Sequence, residues 1–141
     1  MWPVARRSLA VHALAVLHGA DYVCYGFAFG SGVNRVVYLS DYTELLPPTE
    51  ALLSRWSSDG EIGLLVLDTL AYSGKHPVHA TMSESLGLVR RLKPRQTLLV
   101  GMSHEMEHHS CNRRLRELLQ PEGLDVQLAY DGQFVPLALD L

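Results

Sequence analysis

The sequence predicts an α/β fold, a β-sheet carrying helices. Two short, unbroken apolar runs, IGLLVLD (62–68) and QTLLVG (96–101), suit strands buried on both faces. Segments with apolar residues at helical spacing alternate with them, and a stretch rich in aromatic and β-branched residues precedes them.

Taken in order, residues 1–15 read as a leader or a ragged first strand. Arg6 and Arg7 ahead of an apolar stretch give this segment the look of a targeting signal. His12 interrupts the stretch, which is too short to span a bilayer. Residues 21–30 (DYVCYGFAFG) and 35–40 (RVVYLS) are strand-like, and GSGVN (30–34) between them signals a hairpin. PPTEALLSRW (47–56) predicts a helix with Pro48 near its first turn and Leu52, Leu53 and Trp56 apolar. SESLGLVRRL (83–92) predicts a second, with Ser83 as N-cap and Leu86, Val89 and Leu92 inward. SCNRRLRELL (110–119) predicts a basic amphipathic third, capped by Ser110. DVQLAY (125–130), the pair Asp131-Gly132 and QFVPLAL (133–139) predict a closing hairpin. Asp41, Asp68 and the stretch Gly101–His104 then fall where strands run out into loops. In α/β folds whose strands point the same way, that edge is where ligands bind.

A chain of 141 residues suffices for one domain with a real core. Its net charge of −3 argues against a general nucleic-acid binder, because no cationic excess is available to displace counterions. The basic runs at 5–7, 90–95 and 112–116 are short enough for solvated helix faces. Cys24 and Cys111 form no disulfide framework, so a reducing, cytoplasmic setting is the default, with organellar targeting left open by the leader; no membrane span is expected.

The densest chemical signal is MSHEMEHH (102–109), with three histidines and two glutamates in eight residues. His104 to His108 matches H-E-x-x-H, which on a helix places two histidines on one face to hold zinc, with Glu105 as base. A strand-like run ends just before it, which is the wrong context for that peptidase motif. The alternatives are that His108 and His109 are solvated residues entering a helix, or that His104 joins ligands from elsewhere.

Read together, HGADY (18–22), YLSD (38–41), LDTL (67–70), HPVH (76–79), GMSHE (101–105), HH (108–109) and VQLAYDG (126–132) form an ordered series. Over residues 16–139 it resembles the C-terminal half of a metallo-β-lactamase-fold hydrolase, in the branch related to ribonuclease Z and cyclic-phosphate phosphodiesterases. The resemblance implies part of an αββα sandwich, residues 16–141 supplying one mixed sheet with helices on one face. It implies a divalent metal centre of zinc or manganese, with His18 a ligand, Asp41 a carboxylate bridging two metals, and His104 a ligand. The wider family's last ligand histidine aligns with Gly101. His79 matches a histidine near the scissile phosphate that can protonate a leaving oxygen, and His76 shares or flanks that role. Asp68 would orient a ligand histidine or a water.

The chain contains no H-x-H-x-D-H, the motif that supplies most ligands in such enzymes. The expectation is therefore a truncated hydrolase of phosphodiester or other ester substrates, small molecules or nucleotides, with an incomplete metal site in this chain alone. The alternative is a catalytically inactive remnant acting as a binding or regulatory module. Without its partner layer, one apolar sheet face would be open, so a homodimer or a separately supplied N-terminal half is expected to cover it.

Overall fold

The computed structural model describes residues 9–139. The leader reading for residues 1–8 lies outside them. Seven strands form one sheet: β1 (Val11–Leu17), β2 (Val23–Phe29), β3 (Val36–Leu39), β4 (Glu44–Leu45), β5 (Leu64–Asp68), β6 (Gln96–Val100) and β7 (Val126–Leu128). Three helices join them: α1 (Pro47–Ser58), α2 (Met82–Leu92) and α3 (His108–Leu119).

The strand order is β4-β1-β2-β3-β5-β6-β7. Pairing is antiparallel from β4 through β3 and parallel from β3 through β7. The hairpin expected around residues 30–34 joins β2 to β3 through a single 3-10 turn, Gly32–Asn34. The sheet is thus mixed, and the connections between its parallel neighbours carry the helices: α1 between β3 and β5, α2 between β5 and β6, and α3 between β6 and β7.

Side chains alternate across the pleat, so each strand presents two faces. On one face Leu14, Val16, Val37, Leu39, Leu65, Leu67 and Leu99 are at most 1% exposed. They share a single core with Leu53 and Trp56 of α1, Leu86 and Val89 of α2, and Leu115 and Leu119 of α3. All three helices therefore cover one face, as expected. On the other face Val36, Leu64 and Leu98 form a small second cluster, against which Val135 of the C-terminal segment packs. Beyond it Val11, Tyr25, Phe27 and Tyr38 are 43–56% exposed.

Three local expectations are corrected. The N-cap of α2 is Thr81, not Ser83: Thr81 and Glu84 cap each other's backbone in a capping box, with Glu84 Oε2 accepting from Thr81 N at 2.9 Å. The N-cap of α3 is Glu107, not Ser110, because the Glu107 carboxylate reaches the free N–H groups of His109 (3.0 Å) and Ser110 (2.7 Å). Residues 133–139 form no strand, so the closing hairpin is absent. β7 instead lies parallel to β6, and its outward Leu128 N–H donates to Asn112 Oδ1 of α3 at 2.7 Å. A side chain thus occupies the donor that a hairpin partner would need, and Pro136 has no N–H to offer a ladder. Among the described residues, no helix is long and apolar enough to cross a membrane.

Candidate metal centre

The sheet topology places the site. β1 runs parallel in direction to β3, because both pair antiparallel with β2, and β3, β5, β6 and β7 are parallel neighbours. The C-terminal ends of β1, β3, β5 and β6 therefore share one edge. His18 directly follows β1, Asp41 follows β3 by two residues, Asp68 ends β5, and Gly101 directly follows β6. His79 reaches the same edge from the loop between β5 and α2.

His18, Asp41 and His79 each offer one ligand atom there, and these atoms lie within 4.8 Å of one another. The two imidazoles meet at 5.0 Å between ring centroids with their planes 70° apart. Two imidazoles and a carboxylate are donors suited to a divalent cation of borderline character. Asp41 adopts a left-handed backbone, φ +53°, which Asp tolerates better than most residues and which recurs at functional positions.

Hydrogen bonds assign the ring tautomers. His18 Nδ1 donates to the Val78 carbonyl at 2.5 Å. His79 Nδ1 donates to Asp68 Oδ2 at 2.8 Å and lies 3.8 Å from Asp41 Oδ1. Each ring therefore keeps its lone pair on Nε2, the nitrogen available to a metal. Asp68 is 2% exposed, and burial raises the pKa of its carboxyl group, an effect the His79 hydrogen bond opposes. Asp68 is thus no exposed strand end but a buried carboxylate against a histidine.

The loops are tied to one another. His18 N donates to Tyr22 O at 2.8 Å, Thr43 N to Leu17 O at 2.7 Å, and Gly19 N to Thr43 Oγ1 at 3.2 Å. Gly19, at φ +94°, lies directly beneath the 76–79 loop: a Cβ there would sit 3.2 Å from both Pro77 O and Val78 Cγ1. The role of the Val78 carbonyl and of Thr43 was invisible in the sequence, since neither residue type signals metal chemistry.

Gly101, where the wider family's ligand histidine aligns, has φ +75°, and a Cβ there would lie 2.6 Å from Asp68 Oδ1. The Asp68 carboxylate occupies the space that a side chain at this position would need. His104 lies in an exposed turn and is not in the ligand group formed by the described residues. His76 stands beside the group, its ring 5.4 Å from that of His79. His79, which the resemblance places as an acid, falls among the candidate ligands themselves.

The peptidase reading of H-E-x-x-H is corrected. His104 is in a turn and only His108 is helical, so the two histidines are not one turn apart on a shared helix face. His108 Nε2 instead accepts from Asn112 Nδ2 at 3.0 Å. Glu107 is the helix cap, and the N–H groups of His109 and Ser110 lower its pKa to about 2. Three clefts, of about 440, 380 and 250 Å³, lie elsewhere and include none of His18, Asp41 or His79.

A mixed seven-stranded sheet, helices on one face and a His/Asp/His group at the C-terminal strand edge define a half-sandwich of the metallo-β-lactamase type. Solved structures similar to this chain include a diphosphatase from the PhnP family, 29% identical over 87% of this chain and 41% of that one, with a TM-score of 0.68. The metallo-β-lactamase-fold protein YhfI from Bacillus subtilis is 20% identical over 94% of this chain and 51% of its own, with a TM-score of 0.63. The short form of human tRNase Z is 13% identical over 95% of this chain and 45% of its own, with a TM-score of 0.65. The chain thus spans 41–51% of the length of these structures. No family model and no curated protein matches the sequence.

Proposed function

We propose that this chain supplies part of the metal centre of a metallo-β-lactamase-fold hydrolase acting on phosphodiester, diphosphate or related ester substrates, small molecules or nucleotides. The observation that carries this reading is the convergence of His18, Asp41 and His79 from three separate strand exits. The names of two similar structures, a diphosphatase and a tRNase Z, support phosphorus chemistry in particular.

The donor set fits zinc or manganese. His18 and Asp41 are the proposed ligands, and His79 stands close enough to ligate or to face the reacting phosphate. A divalent ion held there supplies Lewis-acid polarisation of a phosphoryl or acyl oxygen. The protein's own contribution is orientation: the Val78 carbonyl and Asp68 each hold one imidazole with Nε2 directed away from its hydrogen-bond partner. If the ion takes only His18 and Asp41, His79, once it carries a second proton on Nε2 with the Asp68 carboxylate behind it to offset the charge, is placed to pass that proton to a leaving oxygen. His104 is exposed and serves only if its turn closes over the group.

On this reading further ligands come from outside these 141 residues, by additional sequence or a second chain. The open face of Val11, Tyr25, Phe27 and Tyr38 is then where the complementary layer packs.

The deciding experiment is metal stoichiometry. The chain is loaded separately with zinc and with manganese, dialysed, and assayed by elemental analysis beside His18→Ala and Asp41→Ala. Retained metal that both variants lose is the expected result, and hydrolysis of a bis-aryl phosphodiester by the loaded protein would extend it to activity. Metal retention no greater than that of the variants overturns a metal centre held by this chain's own residues and leaves the half-domain reading, in which ligands from outside complete the site.

A further inference from the structure

The segment 76–79 contains two histidines and touches a third, and its hydrogen bonds give the three rings different tasks. His76 Nδ1 accepts from the backbone N–H of His79 at 3.1 Å and of Val78 at 3.4 Å. This closes a turn of the kind that an Asn or Asp side chain makes with N–H groups two and three residues on. It uses the Nδ1 lone pair, so the ring hydrogen sits on Nε2. The opposite tautomer holds for His18 and His79, whose Nδ1–H groups donate.

We infer that His76 is a positioning residue for the metal centre, neither a ligand nor the proton donor. Its ring fixes the backbone of Val78 and His79. The carbonyl of that same Val78 accepts the His18 Nδ1–H across 60 residues of sequence. His79, whose N–H is fixed, presents its own Nδ1–H to buried Asp68. Pro77 stiffens the turn at its restricted φ, and its carbonyl and Val78 press onto side-chain-free Gly19 beside His18. One ring therefore orients two imidazoles that come from different strand exits. The metal arm of this inference rests on the proposed reading of His18 and His79; the turn and the tautomers do not.

The test exploits the difference between the two ring nitrogens. Asn places an oxygen near the position of Nδ1, and Gln places one near Nε2. His76→Asn and His76→Gln are therefore compared with the parent chain. In metal-free protein, long-range 1H–15N spectra of the imidazoles are expected to show Nδ1–H on His18 and His79 and Nε2–H on His76. His76→Asn is expected to keep the His18 pattern. His76→Gln is expected to lose it to exchange between tautomers, with both variants cooperatively folded.

Affinity for manganese or zinc should follow the same order. His76→Asn stays within about threefold of the parent and His76→Gln falls by roughly 10–100-fold, the usual loss when the groups orienting metal ligands are removed. Equal loss in both variants would show that the imidazole itself ligates or donates, and would overturn the inference. So would an unchanged His18 spectrum in His76→Gln. A parent chain that binds no metal removes the metal arm for this chain alone, while the spectra still decide the positioning role.

Discussion

The molecule has two histidine-rich regions, and they do opposite things. MSHEMEHH gathers three histidines within eight residues, yet His104 lies in an exposed turn, His108 bonds Asn112, and His109 sits in the first turn of α3. The other region is scattered over residues 18 to 79, yet His18, His79 and Asp41 come within 4.8 Å of one another. Local density fails because consecutive side chains at a turn entering a helix point in different directions. Dispersion succeeds because strands of common direction deliver their ends to one edge, where buried groups then fix each ring.

The largest expected effect tests that contrast directly. His18→Ala or Asp41→Ala should weaken binding of manganese or zinc by at least about 100-fold, more than loss of an orienting group would. The double change His104→Ala, His108→Ala should alter it less than about twofold, as measured by isothermal titration. A large loss in the second variant would restore MSHEMEHH to the site.

Asp68→Ala should come next. It leaves all three candidate ligands in place but removes the acceptor of the His79 Nδ1–H. A loss of roughly 10–100-fold in metal affinity is expected, the range typical of a carboxylate behind a ligand histidine. No change would mean that His79 does not ligate, and would sharpen its assignment as an acid.

Gly101→Ala tests the join between the two regions. It places a methyl group on a φ of +75°, 2.6 Å from Asp68 Oδ1. Strain of this kind costs about 1–3 kcal/mol, so thermal unfolding should show a clear loss of stability. A neutral outcome would show that Asp68 yields easily, and that a side chain fits there after all.

The smallest effect isolates the structural task of MSHEMEHH. Glu107 is held at a pKa of about 2 against an ordinary 4.5 by the N–H groups it caps. A lowered pKa in the folded state stabilises above the ordinary value, and the effect fades as pH falls from about 4.5 to about 2. Glu107→Gln should therefore lower Tm by a few degrees at pH 7. The gap from the parent should close progressively below pH 4.5. A gap independent of pH would mean the cap works without its charge.

Much of the fold was legible because its signals are local. The unbroken apolar runs at 62–68 and 96–101 became β5 and β6, and the three amphipathic spacings became α1, α2 and α3. Helix starts were misplaced because several Ser, Thr and Glu side chains competed for each cap. Which one reaches the free N–H groups is settled by backbone geometry. The closing hairpin was lost for a non-local reason: Asn112 of α3 took the outward N–H of Leu128 that a following strand would have bonded. At the site, Asp41 and Asp68 were legible as carboxylates at strand exits. Val78, Thr43 and the fit of Gly101 against Asp68 were not, because backbone carbonyls and missing side chains carry no motif.

The sequence by itself determined that two faces of this sheet are apolar. Along β2 and β3, Tyr25, Phe27 and Tyr38 on one face are aromatic, and Ala28, Val37 and Leu39 on the other are aliphatic. It also determined that carboxylates and histidines stand at the ends of strands. Only the tertiary structure decided which face the helices cover and which histidines meet. The physical reason is distance along the chain: the bond from His18 to Val78 spans 60 residues. No local preference encodes such a contact. It forms because parallel pairing of β3, β5 and β6 closes the loops that bring those ends together.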